Sequence, residues 1–203
     1  MTPTETPLGP WEPAPLAEVA ALFAPLRVPW WIGGGYAIEL AVGHTFRAHD
    51  DIDVVLLRRD QLAVQDVLRD WEWWAADPPG RLRPWHAGEI LPFGVHDVWC
   101  RPGWDEPWRI QVMFDEAEGE EWVSRRSAAL RRPIAQVGAV SPGGIPYLAP
   151  ELQLFYKAAH PRPKDEHDFA TVLPFLTPAQ RRWLADALTR TYGPHPWTAP
   201  LRA

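Results

Sequence analysis

Residues 31–57 read WIGGGYAIELAVGHTFRAHDDIDVVLL. The stretch holds three consecutive glycines, a short apolar segment, a polar loop and an acidic pair set in an apolar run. Asp51 and Asp53 are separated by one residue. In an extended strand that spacing places both carboxylates on one face and turns Ile52 and Val54 to the other. Val55, Leu56 and Leu57 continue the run, which predicts a buried strand. Two like charges on one face of such a strand repel each other and lose hydration. A hard cation relieves both penalties, because carboxylate oxygens are its preferred ligands. Magnesium is the common choice where phosphate is also bound.

The glycines supply the other half. Gly33, Gly34 and Gly35 follow an apolar strand over Val28–Ile32 and precede a helix expected over Tyr36–Val42. Backbone without side chains approaches a ligand closely, and the N–H groups at a helix start favour phosphate oxygens. One end of the unit therefore suits a triphosphate, and the other suits the metal that bridges it.

These residues resemble the signature of the nucleotidyltransferases that share the DNA polymerase beta palm. Within that group they are most similar to the aminoglycoside- and lincosamide-type adenylyltransferases. The shared pattern is an apolar strand, Gly-Gly, an aliphatic helix, then Arg-x-His-x-Asp-apolar-Asp. Here it is Gly34-Gly35, then Arg47-Ala48-His49-Asp50-Asp51-Ile52-Asp53, with Ala48 where proline is frequent. The resemblance extends to the Tyr147–Phe169 segment. It implies an α+β fold, a palm-like mixed sheet with flanking helices plus a small C-terminal helical lobe. It further implies magnesium-dependent transfer of a nucleoside monophosphate, AMP from ATP or its equivalent from another nucleoside triphosphate. One or two Mg2+ ions would sit on Asp51 and Asp53, with phosphates at Gly34, Gly35 and Arg47, and pyrophosphate would leave.

The resembling enzymes add a third carboxylate on the second strand of the hairpin that follows, often proposed as the base. The matching run is Trp108–Asp115, and the aligned position holds Gln111. An amide coordinates weakly and is no base at neutral pH. Asp97, on the other hairpin strand, and Asp115, on the Gln111 face by period two, are the candidate substitutes. The departure leaves a second reading open: a nucleotide-binding sensor, or an antitoxin-like partner, with little chemistry.

Composition narrows the acceptor. The 203 residues carry a formal net charge of -6, which argues against a nucleic-acid surface, since that needs a basic field. A small-molecule hydroxyl is the expected acceptor, aminoglycoside- or lincosamide-like by resemblance, on a monomer or homodimer. The single cysteine, Cys100, excludes an intrachain disulfide and fits a reducing cytosol. No apolar run nears the roughly 20 residues that span a bilayer. MTPTETPLGP lacks the regions of a signal peptide, so a cytoplasmic protein is expected.

Along the chain, residues 1–13 are proline-rich and read as loose, and Leu16–Leu26 as helical. Asp60 is placed as N-cap of a helix over Gln61–Arg69. Trp71–Ala76 reads as a strand, and Val95–Arg101 with Trp108–Phe114 as an antiparallel hairpin. Trp122–Arg126 and Ile134–Val140 read as edge strands or ordered loops. Ser141-Pro142-Gly143-Gly144 marks the expected boundary between a catalytic domain over 1–142 and a helical lobe over 143–203. In the lobe, Pro150 and Thr177-Pro178 signal helix starts, and the last ten residues read as a tail. Lys157 and Lys164 are the only lysines among 20 basic residues. They resemble the family's Lys…Lys-Asp-x-x-Asp pattern, which implies a lysine on the triphosphate. Asp165 and Asp168 share a helix face and are expected to pair with Arg162 or other arginines. Glu89, Trp85 and Gln111 are candidates for the acceptor pocket.

Overall fold

The computed structural model describes residues 4–6 and 8–203. The chain forms two compact units: one from the chain up to Tyr36 with Arg47–Ala117, the other from Ala37–Phe46 with Glu118–Ala203.

The first unit opens with β1 (Thr4–Thr6), β2 (Gly9–Trp11), α1 (Leu16–Phe23) and β3 (Trp30–Ile32). Helix α2 (Gly34–Val42) carries the chain into the second unit. The chain returns with β4 (Asp53–Leu57), α3 (Ala63–Val67), β5 (Glu72–Ala76), β6 (Leu82–Pro84), β7 (Asp97–Arg101) and β8 (Ile110–Glu118). The strands form a mixed sheet in the order β3-β4-β8-β7-β5-β6, in which only β4 and β8 run parallel.

Period-two alternation explains why this sheet holds. Val54, Val112, Val98 and Ala75 lie side by side across four strands. All four are fully buried. Burying each valine contributes about 1.5–3 kcal/mol. The adjacent row, one residue along, runs Asp53, Gln111, Trp99, Trp74 on the opposite face. The strand expected over 51–57 thus starts at Asp53, and the expected β7–β8 hairpin is present.

Two expectations for this unit change. Residues 8–13 are ordered: β2 pairs with β1, and Glu12 N–H donates to the Trp108 carbonyl at 3.0 Å. Buried Trp11 meets Trp99 edge-on at 5.0 Å, so apolar burial outweighs the loosening effect of the prolines. Residues 1–3 and 7 lie outside the described ones. Asp60 does not cap a helix. It ends a 3-10 turn (Arg58–Asp60), and α3 starts at Ala63 without a side-chain cap.

The rings of Trp11, Trp74, Trp99, Trp104 and Trp108 form an array within the first unit. The Arg101 guanidinium lies 4.5 Å from the Trp108 ring centre and 5.1 Å from that of Trp104.

The second unit contains two antiparallel pairs, β9 (Glu121–Ser124) with β10 (Ser127–Pro133), and β11 (Gly138–Val140) with β12 (Pro146–Leu148). Four helices follow: α4 (Pro150–Lys157), α5 (Pro163–Val172), α6 (Pro178–Tyr192) and α7 (Thr198–Arg202). The Ser141–Gly144 stretch is the turn between β11 and β12, closed by the Ser141 N–H on the Ile145 carbonyl at 2.9 Å. Glycine and proline here close a hairpin, and the expected 142/143 boundary falls inside the second unit. Pro150 begins α4 as expected, and Thr177 caps α6 reciprocally with Gln180. The final residues are not a tail. Trp197 is buried, stacks on Phe169 at 4.4 Å and donates from Nε1 to Glu166 at 2.8 Å, which ties down α7. Among the described residues no helix is long and apolar enough to cross a membrane.

Cys100 is fully buried on β7, and that burial pushes its thiol above the ordinary range. Since the thiolate is the reactive form, Cys100 in the native protein will resist a disulfide reagent such as DTNB. A full molar equivalent will react only after denaturation, as read by absorbance.

Candidate active site

Gly34 adopts φ +61°, a conformation that glycine takes without strain. A side chain there would collide with the Asp53 carboxylate. Gly33 N–H donates to the Asp53 carbonyl at 2.8 Å, which ties the glycine turn to the first residue of β4. The β3–β4 pairing, with Ile32 opposite Val54, fixes that register. α2 starts at Gly34, two residues earlier than expected, so Gly34 and Gly35 themselves form its first turn.

Gly35 is crowded in the same way. A β-carbon there would meet Arg47 Nη2 and would lie 2.5 Å from the His49 ring. Arg47 Nη1 lies 3.0 Å from His49 Nδ1. An arginine only donates, so His49 Nδ1 accepts and the ring proton rests on Nε2. Tyr36 stacks on the buried His49 ring at 4.1 Å. Tyr36 was not singled out in the sequence, although a ring immediately after the glycines was the available signal.

Asp51 and Asp53 are both half-buried, with Ile52 buried between them. They offer hard oxygen ligands, the donor chemistry magnesium takes. The Asp53 carboxylate occupies the space that glycine leaves at position 34. The residues present therefore fit a divalent cation beside the glycine turn.

Strand register locates the third position. Gln111 pairs with Asp53 on the parallel neighbour β8, about 4.8 Å away by sheet spacing. Trp99 pairs with Gln111 on β7. Asp97 pairs with Met113, which pairs with Val55. That places Asp97 two strands over, about 9–10 Å across and about 7 Å along from Asp53. Asp115 pairs with Leu57 at the far end of β4 and is buried. Among the described residues no group of three or more His, Cys, Asp or Glu side chains converges to hold a metal. Strand register thus sets both Asp97 and Asp115 farther from Asp53 than Gln111.

The remaining candidates have structural partners. Trp85 is a core residue, edge-on to Phe114 at 6.0 Å, with its Nε1 donating to the Glu89 carbonyl at 2.7 Å. Glu89 accepts from the His86 N–H at 3.0 Å and pairs with Arg83 Nη2 at 2.8 Å. The Arg83 hydrogen bond holds the Glu89 carboxyl below its usual range. These contacts brace the Trp85–Glu89 loop.

Lys157 and Lys164 belong to the second unit. Lys157 Nζ is buried 2.9 Å from both Asp165 and Asp168. Arg162 Nε also reaches Asp165 at 2.8 Å, as expected. Lys157 is thus engaged by two buried carboxylates of α5. Lys164 is half-buried in the first turn of α5.

Comparison with known proteins places this geometry. The model of the aminoglycoside-2''-adenylyltransferase family matches residues 15–76, the span that holds the glycines and both aspartates. A 2''-aminoglycoside nucleotidyltransferase of Escherichia coli is 26% identical over 144 residues, covering 56% of this chain and 80% of that one. Over these spans the chain is similar to aminoglycoside nucleotidyltransferases. Two solved structures share the fold of this chain. The solution structure of the antibiotic-resistance factor ANT(2'')-Ia superposes with a TM-score of 0.57 at 18% identity, covering 87% of this chain and 90% of that one. The crystal structure of the lincosamide adenylyltransferase LnuA, bound to lincomycin, gives a TM-score of 0.53 at 15% identity, covering 79% and 96%.

Gly34→Ala in this protein will lower stability by about 2–3 kcal/mol, combining backbone strain with the clash against Asp53. Gly43→Ala is the control: Gly43 has φ +82° with nothing within 4 Å, so it carries the strain alone. Urea titration of both variants separates the two effects.

Burial raises the Asp165 carboxyl, but the Arg162 and Lys157 hydrogen bonds outweigh it and hold the group well below the usual range. A depressed carboxyl stabilises fully above its unfolded value of about 3.9, and the contribution fades as pH falls toward the folded value. Asp165→Asn will cost about 3 kcal/mol at neutral pH and flatten the acid limb of a stability–pH curve measured by urea unfolding.

Proposed function

We propose that this protein is a nucleotidyltransferase that transfers AMP from ATP to a hydroxyl of a small molecule of the aminoglycoside or lincosamide kind, releasing pyrophosphate. The observation that carries the reading is the Asp53 carboxylate lodged against Gly34, with Asp51 two residues earlier. The names of the relatives support the acceptor class.

Gly34 and Gly35 offer backbone N–H groups at a helix start to the phosphate chain. Arg47, held against His49, adds a fixed positive charge beside that turn. Asp51 and Asp53 would hold Mg2+, and when bound the ion would supply charge neutralisation to the phosphates. The acceptor hydroxyl attacks the α-phosphorus in line with the departing pyrophosphate, forming the new P–O bond as the α–β bridging bond breaks and releasing its proton to water. Positioning with charge neutralisation supplies most of the rate gain.

The register of Gln111 beside Asp53 favours a second reading, a protein that binds nucleotide and turns it over poorly. One assay separates the two. The protein is given ATP, magnesium and a panel of aminoglycosides and lincosamides, and pyrophosphate release is followed. The proposed activity gives acceptor-dependent release that falls at least about a hundredfold in Asp53→Asn. Calorimetric ATP–magnesium binding with no release across the panel establishes the second reading instead.

A further inference from the structure

Gln111 has a carboxylate on one flank and another on the opposite flank. On β7, Asp97 Oδ1 accepts from Gln111 Nε2 across 3.4 Å, a long hydrogen bond. Its direction follows from chemistry: an ionised carboxylate only accepts, so the amide NH2 must face Asp97. Gln111 Oε1 is then the amide atom turned away from Asp97. The register neighbour on the remaining side is Asp53, on the parallel strand β4. Asp53, Gln111 and Asp97 all lie on one face of the sheet, and all three are half-buried.

We propose that Gln111 is a ligand of the cation site, giving its neutral Oε1 to the divalent ion held by Asp51 and Asp53. Asp97 is a positioning residue that fixes the amide from behind. The inference rests on the reading of Asp51 and Asp53 as cation ligands. Side-chain amide oxygens are ordinary ligands of hard cations. A freely rotating amide offers its oxygen and its NH2 alternately, and an NH2 turned to the cation repels it. The hydrogen bond to Asp97 selects the useful orientation. The site then carries two negative charges where the resembling enzymes carry three, so it grips a free cation weakly and gains from the charge of a bound triphosphate.

Mn2+ binding to the full chain without nucleotide, read by electron paramagnetic resonance of the free ion, tests this apart from activity. Circular dichroism checks that each variant is folded. Gln111→Met, equal in length but without a hard donor, is expected to weaken Mn2+ about tenfold. Gln111→Glu is expected to tighten it about tenfold or more. Asp97→Ala should match Gln111→Met, and the double variant should lose no more than either alone. Asp97→Asn keeps an oxygen that accepts from Gln111 and should recover most of the Asp97→Ala loss. Unchanged affinity in Gln111→Met overturns the proposal. So does an Asp97→Asn as weak as Asp97→Ala, which would mean that Asp97 acts through its own charge. Wild-type protein whose Mn2+ binding is absent or indifferent to Asp53→Asn overturns this proposal together with the reading beneath it. Loss in Asp53→Asn alone sinks only the role of Gln111.

Discussion

The Asp53 carboxylate occupies the place where residue 34 would carry a side chain. This close approach constrains much of the surrounding architecture. It requires glycine at a positive φ, a strand ending at Ile32 in register with Val54, and a helix that starts on the turn itself. It also keeps a charged oxygen beside backbone that carries no side chain. A carboxylate in that position is unfavourable unless positive charge is near, and the guanidinium of Arg47 packs over the adjacent Gly35.

The sheet separates packing from chemistry by a shift of one residue. The row through Val54 and Val112 is aliphatic and closed to water, while the next row begins with Asp53 and Gln111 and continues into tryptophan. Since neighbouring residues face opposite ways, the same strand pairing that seals the core holds the polar groups at fixed spacing. A register slip of one residue would exchange the two rows and put the carboxylate into the core. The apolar row therefore stabilises the fold and positions the site at once.

The chain showed this much in advance wherever local chemistry decided the outcome. The glycine turn, the acid-x-acid spacing, the β7–β8 hairpin and the capped start of α6 were readable because each depends on a few adjacent residues. Gln111 was found by resemblance, and its place beside Asp53 needed only the parallel pairing of β4 with β8. What the sequence did not show is the partners set at longer range. Glu89 and Trp85 suggested a pocket from a proline- and tryptophan-rich segment, and in the fold they pair with Arg83 and Phe114. Lys157 looked reserved for phosphate through its scarcity, and two carboxylates from the next helix neutralise it. The first and last segments look loose from their prolines, but Trp11 and Trp197 are buried and anchor them. Proline limits backbone geometry, while buried aromatic area decides whether a segment is held.

The tryptophan array has a spectroscopic consequence. Trp11 and Trp99 stand 5.0 Å apart at 71°, and Trp108 lies 5.6 Å from Trp99 at 73°. Indole transitions at such separations and angles couple as excitons and generate paired ellipticity bands of opposite sign. These bands overlap the peptide region, so helix content deconvoluted from the ultraviolet spectrum of this protein will be distorted. The same coupling makes the spectrum a reporter of the array itself, sensitive to any event that tilts one indole against the next.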